Sequence, residues 1–265
     1  MSADAAKKPG KPAKPRGGKK FTAGRVMRWI VILALAPLSG FVVWLWMTLP
    51  DVRSLKSGFP EKTSLMEYRD AEYARKNEKV RPSYRPIPLR LVSPHLRHAV
   101  IASEDSNFYG HHGFDFDGIQ EALEKNLEKG RPVRGGSTIT QQLAKNLYLT
   151  PKKSYVRKIR EAAITRRLEE RLPKDRILEL YLNVAEWGRG IYGCEAASRH
   201  WFSKSCLELS PREAALLAAM LPAPRKFNPD KKTSRAFKRQ QKILYWMCLG
   251  NKLPESDCAG VQPPT

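Results

Sequence analysis

From Trp29 to Leu49 the chain reads WIVILALAPLSGFVVWLWMTL, 21 residues without a charged side chain. A helix of that length rises about 30 Å, the thickness of a bilayer's hydrocarbon core. Only a helix satisfies its own backbone polar groups there, so the run constrains the fold before any motif is considered. Pro37 and Gly40 fall inside it and are tolerable kinks, while Trp29, Trp44 and Trp46 lie toward its ends, as interfacial aromatics do. A cleaved signal peptide shares the basic flank of Arg25 and Arg28. The apolar stretch is longer than a signal core, however, and Thr48-Leu49-Pro50-Asp51 offers no small-x-small cleavage site. An uncleaved anchor is expected.

The flanks orient it. Residues 1–28 carry nine Lys and Arg against Asp4 alone, so the positive-inside bias keeps this tail cytoplasmic and exports the chain beyond residue 50. Of the formal charge of +22, the tail accounts for +8 and the exported part for +14. A strongly basic exported domain excludes nucleic acid as its ordinary partner and favours lipid head groups or lipid-linked pyrophosphates. The expected topology is a single-pass span with its N-terminus cytoplasmic and the chain beyond residue 50 exported.

The chain divides into a basic tail (1–28), the membrane helix (29–49), a Pro- and charge-rich stalk (50–90), a catalytic domain (91–230) and a C-terminal helix and tail (231–265). Ser154 can cap a helix to about Arg171, and Ser210-Pro211-Arg212-Glu213 is a capping box with proline at the first helical position. Lys174 opens a helix whose Ile177, Leu178, Tyr181 and Leu182 form an apolar stripe that reads as core. No sustained alternation demands a sheet, so the expected class is mainly α. The cysteines Cys194, Cys206, Cys248 and Cys258 all fall in the exported part, where disulfides are permitted. Spacing favours Cys248 with Cys258 or Cys194 with Cys206, and leaves the choice open. No C-x-x-C or H-E-x-x-H run suggests zinc.

Candidate chemistry concentrates between two glutamates. Glu104 follows the apolar Ala99-Val100-Ile101-Ala102, so its carboxylate emerges beside buried structure, where burial raises a carboxyl pKa toward the range of a general base. Gly135-Gly136-Ser137-Thr138 can cap a helix whose amides face an anion, with Gln141, Gln142 and Lys145 beyond it. Lys152, Lys153, Arg157, Lys158 and Arg160 then crowd the approach to Glu161. A cationic cluster ending in a carboxylate suits a pyrophosphate.

The runs EDSNFYGHHGFD, GGSTITQQLAKNLYL, RKIRE, RILELYLN and GRGIYGCEAASRHWFSK resemble, in order, the five motifs of the family 51 peptidoglycan glycosyltransferases. The resemblance covers roughly residues 50 to 230. It implies a lysozyme-like α lobe with a smaller membrane-proximal jaw, polymerising lipid II into β-1,4-linked glycan with inversion and release of undecaprenyl pyrophosphate. Glu104 matches the general base. Glu161 matches a second glutamate that assists the leaving pyrophosphate, with Mg or Mn as a candidate divalent cation, or organises neighbouring bases. Ser137, Gln141, Gln142, Lys145, Arg157 and Lys158 match donor-site positions, and Asp105, Phe108, Thr138 and Lys153 join them as substrate-binding candidates. Lys153 stands where relatives commonly carry arginine, Trp201 replaces a frequent tyrosine, and His112 takes a position that is often acidic or Asn. The resemblance further implies lipid II, the growing lipid-linked glycan and the membrane as partners, with cell-division or cell-wall synthesis proteins as candidates. About 35 residues follow the motifs, so a serine transpeptidase domain and penicillin binding are not expected. A lysozyme-like hydrolase or lytic transglycosylase, and a non-catalytic wall scaffold, are the competing readings.

Overall fold

The computed structural model describes residues 23–131, 135–226 and 234–263; most of the basic tail lies outside them. Helix α1 (Ala23–Met47) contains Pro37 and forms one compact unit. Its stretch Met27–Met47 is long and apolar enough to cross a membrane, and none of it is buried within the protein.

The second unit, residues 49–265, is helical around one apolar core. Residues 50–90, expected as a stalk, include α2 (Ser64–Arg75), capped by Thr63, whose side chain accepts from the Met66 amide. Helix α2 packs on α5. After the short strand β1 (Ser83–Tyr84) comes α3 (Pro94–Glu104), opening with proline at its first position and burying Leu96, Ala99 and Val100. Helix α4 (Phe116–Glu128) buries only Ala122, whereas α5 (Ile139–Tyr148) is buried along most of its length. Thr138 and Gln141 close a reciprocal capping box at the start of α5, which satisfies two amides that a helix end leaves without partners.

Helix α6 (Tyr155–Arg171) starts as expected at Ser154, whose hydroxyl accepts from the Arg157 amide at 3.1 Å. In α7 (Lys174–Val184) the stripe Ile177, Leu178, Tyr181 and Leu182 is buried. Strands β2 (Glu186–Gly188) and β3 (Ile191–Tyr192) join β1 in a small sheet of order β1-β3-β2, with β1 parallel and β2 antiparallel to β3. These strands are too short to show an alternating sequence pattern. Helix α8 (Cys194–Phe202) comes next, and α9 (Pro211–Met220) carries the expected capping box of Ser210 and Glu213.

Helix α10 (Ser234–Leu249) packs against both α9 and α3, burying Ile243, Leu244 and Met247. The C-terminal helix is therefore part of the same core as the residues around Glu104. A disulfide joins Cys248 to Cys258 at the end of α11 (Glu255–Cys258), while Cys194 and Cys206 are buried free thiols. Of the two pairings that spacing favoured, the one across the turn after α10 forms.

Candidate active site

Glu104 is the last residue of α3, and its side chain is only 11% exposed. Two donors hold its carboxylate. Gln142 Nε2 donates to Oε2 at 2.9 Å, and Arg239 Nη2 on α10 donates to Oε1 at 2.9 Å. The Gln142 amide is itself fixed, because the Tyr181 hydroxyl donates to its Oε1 at 3.0 Å. Burial pushes the Tyr181 phenol well above its ordinary range, so it stays a donor. Burial also raises the Glu104 carboxyl above the usual carboxylate range; Arg239, Gln142 and Lys145 pull the other way. The result is a shielded carboxylate whose orientation is fixed by two donors, as positioning a general base requires.

Asp105, next in sequence, faces the opposite way. Its Oδ2 accepts the Ile139 amide, the first of α5, at 2.9 Å, and its Oδ1 pairs with His111 Nε2 at 2.9 Å. His111 Nδ1 accepts from the Gly113 amide, which leaves Nε2 to carry the proton toward Asp105. Thr138 donates from Oγ1 to the Gly113 carbonyl at 2.8 Å. Gly113 adopts φ +91, and a Cβ there would come within 2.9 Å of Thr165, so this loop closes only with glycine. Phe108 is fully buried with the Lys174 ammonium 4.6 Å from its ring centroid. Asp105, Phe108 and Thr138 are thus brought together as the joint between α3 and α5, and none of the three lines the open cleft. Their place inside the same motif as Glu104 gives no indication of which way each side chain points.

The open cleft, about 130 Å³, lies between α5 and α6. Ser137, Gln141, Gln142 and Lys145 line one side and Arg157, Lys158 and Glu161 the other. Glu161 is 3% exposed, and both its oxygens are engaged: Arg157 Nη1 reaches Oε2 at 2.6 Å, and Lys158 Nζ holds Oε1. Lys145 sits within electrostatic reach of both glutamates. Burial lowers its ammonium below the usual lysine range; Glu161 and Glu104 oppose that, while Arg157 and Lys158 add to it. Arg157 Nε is buried without an acceptor among the described residues, a donor that a ligand oxygen would satisfy. Lys153 lies exposed ahead of α6, outside the residues that line the cleft.

Six of the twelve site candidates named from sequence therefore share this cleft with Glu161 or contact Glu104. Two functional partners were not among those candidates, Arg239 and Tyr181. A signal for Arg239 exists in the sequence: it precedes Ile243 and Met247 by four and eight residues, a cation on the apolar stripe of its helix. Tyr181 was read as core, and it is buried; its hydroxyl, however, ends at the site.

No group of three His, Cys, Asp or Glu among the described residues could hold a metal ion. The cleft offers cations, and its one carboxylate is already saturated by Arg157 and Lys158. Glu161 is the one carboxylate that could join substrate phosphate oxygens around a divalent cation there.

The family profile described as Transglycosylase matches residues 72–248. A biosynthetic peptidoglycan transglycosylase of Aromatoleum aromaticum is 50% identical over 206 residues, covering 77% of this chain and 86% of its own. The protein of that name from Dechloromonas aromatica is 47% identical over 204 residues, 77% of this chain and 88% of its own. The one from Neisseria gonorrhoeae is 39% identical over 233 residues, 88% and 98% respectively. With a buried, doubly held glutamate beside a cationic cleft, and with relatives matched along nearly their whole lengths, this chain belongs to the biosynthetic peptidoglycan transglycosylases, the family 51 glycosyltransferases that build peptidoglycan glycan strands.

Proposed function

We propose that the substrate polymerised is lipid II, with the growing lipid-linked chain as donor and a lipid II molecule as acceptor. Glu104 takes the proton from the 4-hydroxyl of the acceptor N-acetylglucosamine as that oxygen attacks the donor's anomeric carbon. The α-linked pyrophosphate leaves from the opposite face, so the new bond is β-1,4 and the centre inverts. Negative charge grows on the leaving group, and Lys145, Arg157 and Lys158 are placed to stabilise it. Glu161, buried and bonded to two of those cations, fixes their positions.

The observation that carries the reading is the pairing of a buried carboxylate held by Gln142 and Arg239 with a neighbouring cleft whose free donor is Arg157 Nε. A pyrophosphate supplies the oxygens such a donor lacks. The membrane supplies the substrate's setting. Helix α1 is suited to span a bilayer, and α4 exposes Phe116, Ile119, Leu123 and Leu127 on one face, an apolar surface suited to the lipid boundary and to the role of a membrane-proximal jaw. The positive flank argues for a second unit on the periplasmic side of the inner membrane.

The test is product analysis. Purified chain mixed with lipid II yields glycan whose bond count equals the undecaprenyl pyrophosphate released, and a β-1,4 muramidase digests that glycan. Cleavage of finished peptidoglycan without polymer formation would instead support the hydrolase reading.

A further inference from the structure

Away from the catalytic cleft, and sharing no residue with it, a larger cleft of about 470 Å³ lies between Arg69 of α2, Arg189 of the β2–β3 turn and the segment after α9. Pro222, Pro224, Arg225 and Lys226 complete its wall. Its arginines belong to a partly buried ionic network. Arg69 Nε donates to Glu186 Oε2 at 3.0 Å and its Nη1 to Glu72 Oε2 at 2.8 Å, while Arg225 Nη1 reaches the same Glu72 oxygen at 3.1 Å. Lys76 holds the other Glu72 oxygen, and Arg189 pairs with Glu78.

Five cations, Arg69, Lys76, Arg189, Arg225 and Lys226, therefore meet three carboxylates, Glu72, Glu78 and Glu186, a surplus of two positive charges. The surplus is at the rim, where Arg225 is one-third exposed and Lys226 is exposed. Glu186 Oε1 and the hydroxyls of Tyr73 and Tyr192 are buried nearby without hydrogen-bond partners among the described residues, and none of the three lines the cleft. Arg225 Nε stands 4.0 Å from Glu186 Oε1, too far for a hydrogen bond. The cleft is lined by four cations that the neighbouring carboxylates do not fully balance, and a ligand anion at the rim would complete that balance.

We propose that this cleft binds the free carboxylates of the peptide stems carried by the growing glycan, an inference that rests on the reading of the chain as a polymerase of peptide-bearing substrate. Guanidinium forks match carboxylates bidentately. The prolines add no backbone donors to the wall, so the side-chain cations set what it selects. A phospholipid surface is the weaker match. The large exposed apolar side chains of α4, and Tyr155 and Ile159 at the start of α6, belong to other elements, and none lines this cleft.

The experiment uses the full chain in detergent and three probes: a soluble disaccharide-pentapeptide with free carboxylates, the same compound with its carboxylates amidated, and phosphatidylglycerol vesicles. The free-carboxylate compound binds saturably, R225Q/K226Q weakens it about tenfold or more, R225K/K226R retains it, and amidation weakens it equally. Melting temperatures of both double variants near the parent's exclude misfolding as the cause. Equal binding of the amidated compound, or parent-like binding by R225Q/K226Q, overturns the proposal. So does vesicle binding that falls in R225Q/K226Q while peptide binding does not. Lipid II polymerisation is measured on the same preparation: binding without polymer counts against the polymerase reading alone, and polymer without binding counts against this cleft alone.

Discussion

At the residue scale the account turns on how one carboxylate is held. Arg239 keeps the Glu104 pKa down against burial, so replacing it with glutamine raises that pKa further. The base must be ionised to work, and the acid limb of kcat/KM for Arg239→Gln therefore shifts to higher pH, with a larger deficit on the acid side of the profile than on the alkaline side. A pH–rate profile unchanged in shape would show that Arg239 acts only in packing. Glu161→Gln removes the shared partner of Arg157 and Lys158 and leaves two neighbouring cations unbalanced. A fall in kcat/KM of about 10²-fold is expected, read in steady-state polymerisation. Glu104 itself was legible from its apolar lead-in and its motif, and Gln142 and Lys145 from their spacing on one helix. The orientation of Asp105, Phe108 and Thr138 was not. Local sequence gives side-chain type and order, whereas their inward direction is set by His111, Gly113 and the α5 amide, contacts closed by the tertiary fold.

At the scale of elements, the site is a meeting of helix ends. Helix α3 delivers Glu104 at its C-terminus, α5 delivers Gln142 and Lys145 from a capped start, and α10 returns from the far end of the chain to close the base with Arg239. The caps at Thr138, Ser154 and Ser210 obey rules that depend on three or four neighbouring residues, so helix starts were readable. Strands of two or three residues were not, because they have no period to detect. The approach of α10 to Glu104 depends on contacts with α3, more than a hundred positions earlier, which no local pattern encodes. Thr138→Ala should cost about 1 kcal/mol, measured by denaturant unfolding, since it removes the α5 cap and the bond to Gly113. Cys248–Cys258 fastens the end of α10 across ten residues. Alkylation of the unfolded, unreduced protein should label Cys194 and Cys206 alone, and the double serine variant of the bonded pair should lose about 2–3 kcal/mol of stability. Labelling of all four cysteines would contradict the pairing.

For the whole molecule, burial of Glu104 opposes stability in favour of function. Its folded pKa lies above the unfolded value, so the ionised carboxylate costs stability progressively as pH rises from the unfolded pKa through the folded one. Glu104→Gln should accordingly melt no lower than the parent at neutral pH, a signature that separates lost chemistry from lost fold. The long apolar helix and the charge were the most legible features of all, because an uncharged run of bilayer length and a lopsided basic flank are properties of composition. The most direct test of the central claim is the single-turnover rate of bond formation from lipid II by this folded Glu104→Gln variant against the parent. A general base contributes about 10² to 10⁴-fold, and a loss of that size with the melting temperature preserved is the predicted result. Polymerisation at the parent's rate would contradict it and remove Glu104 as the base.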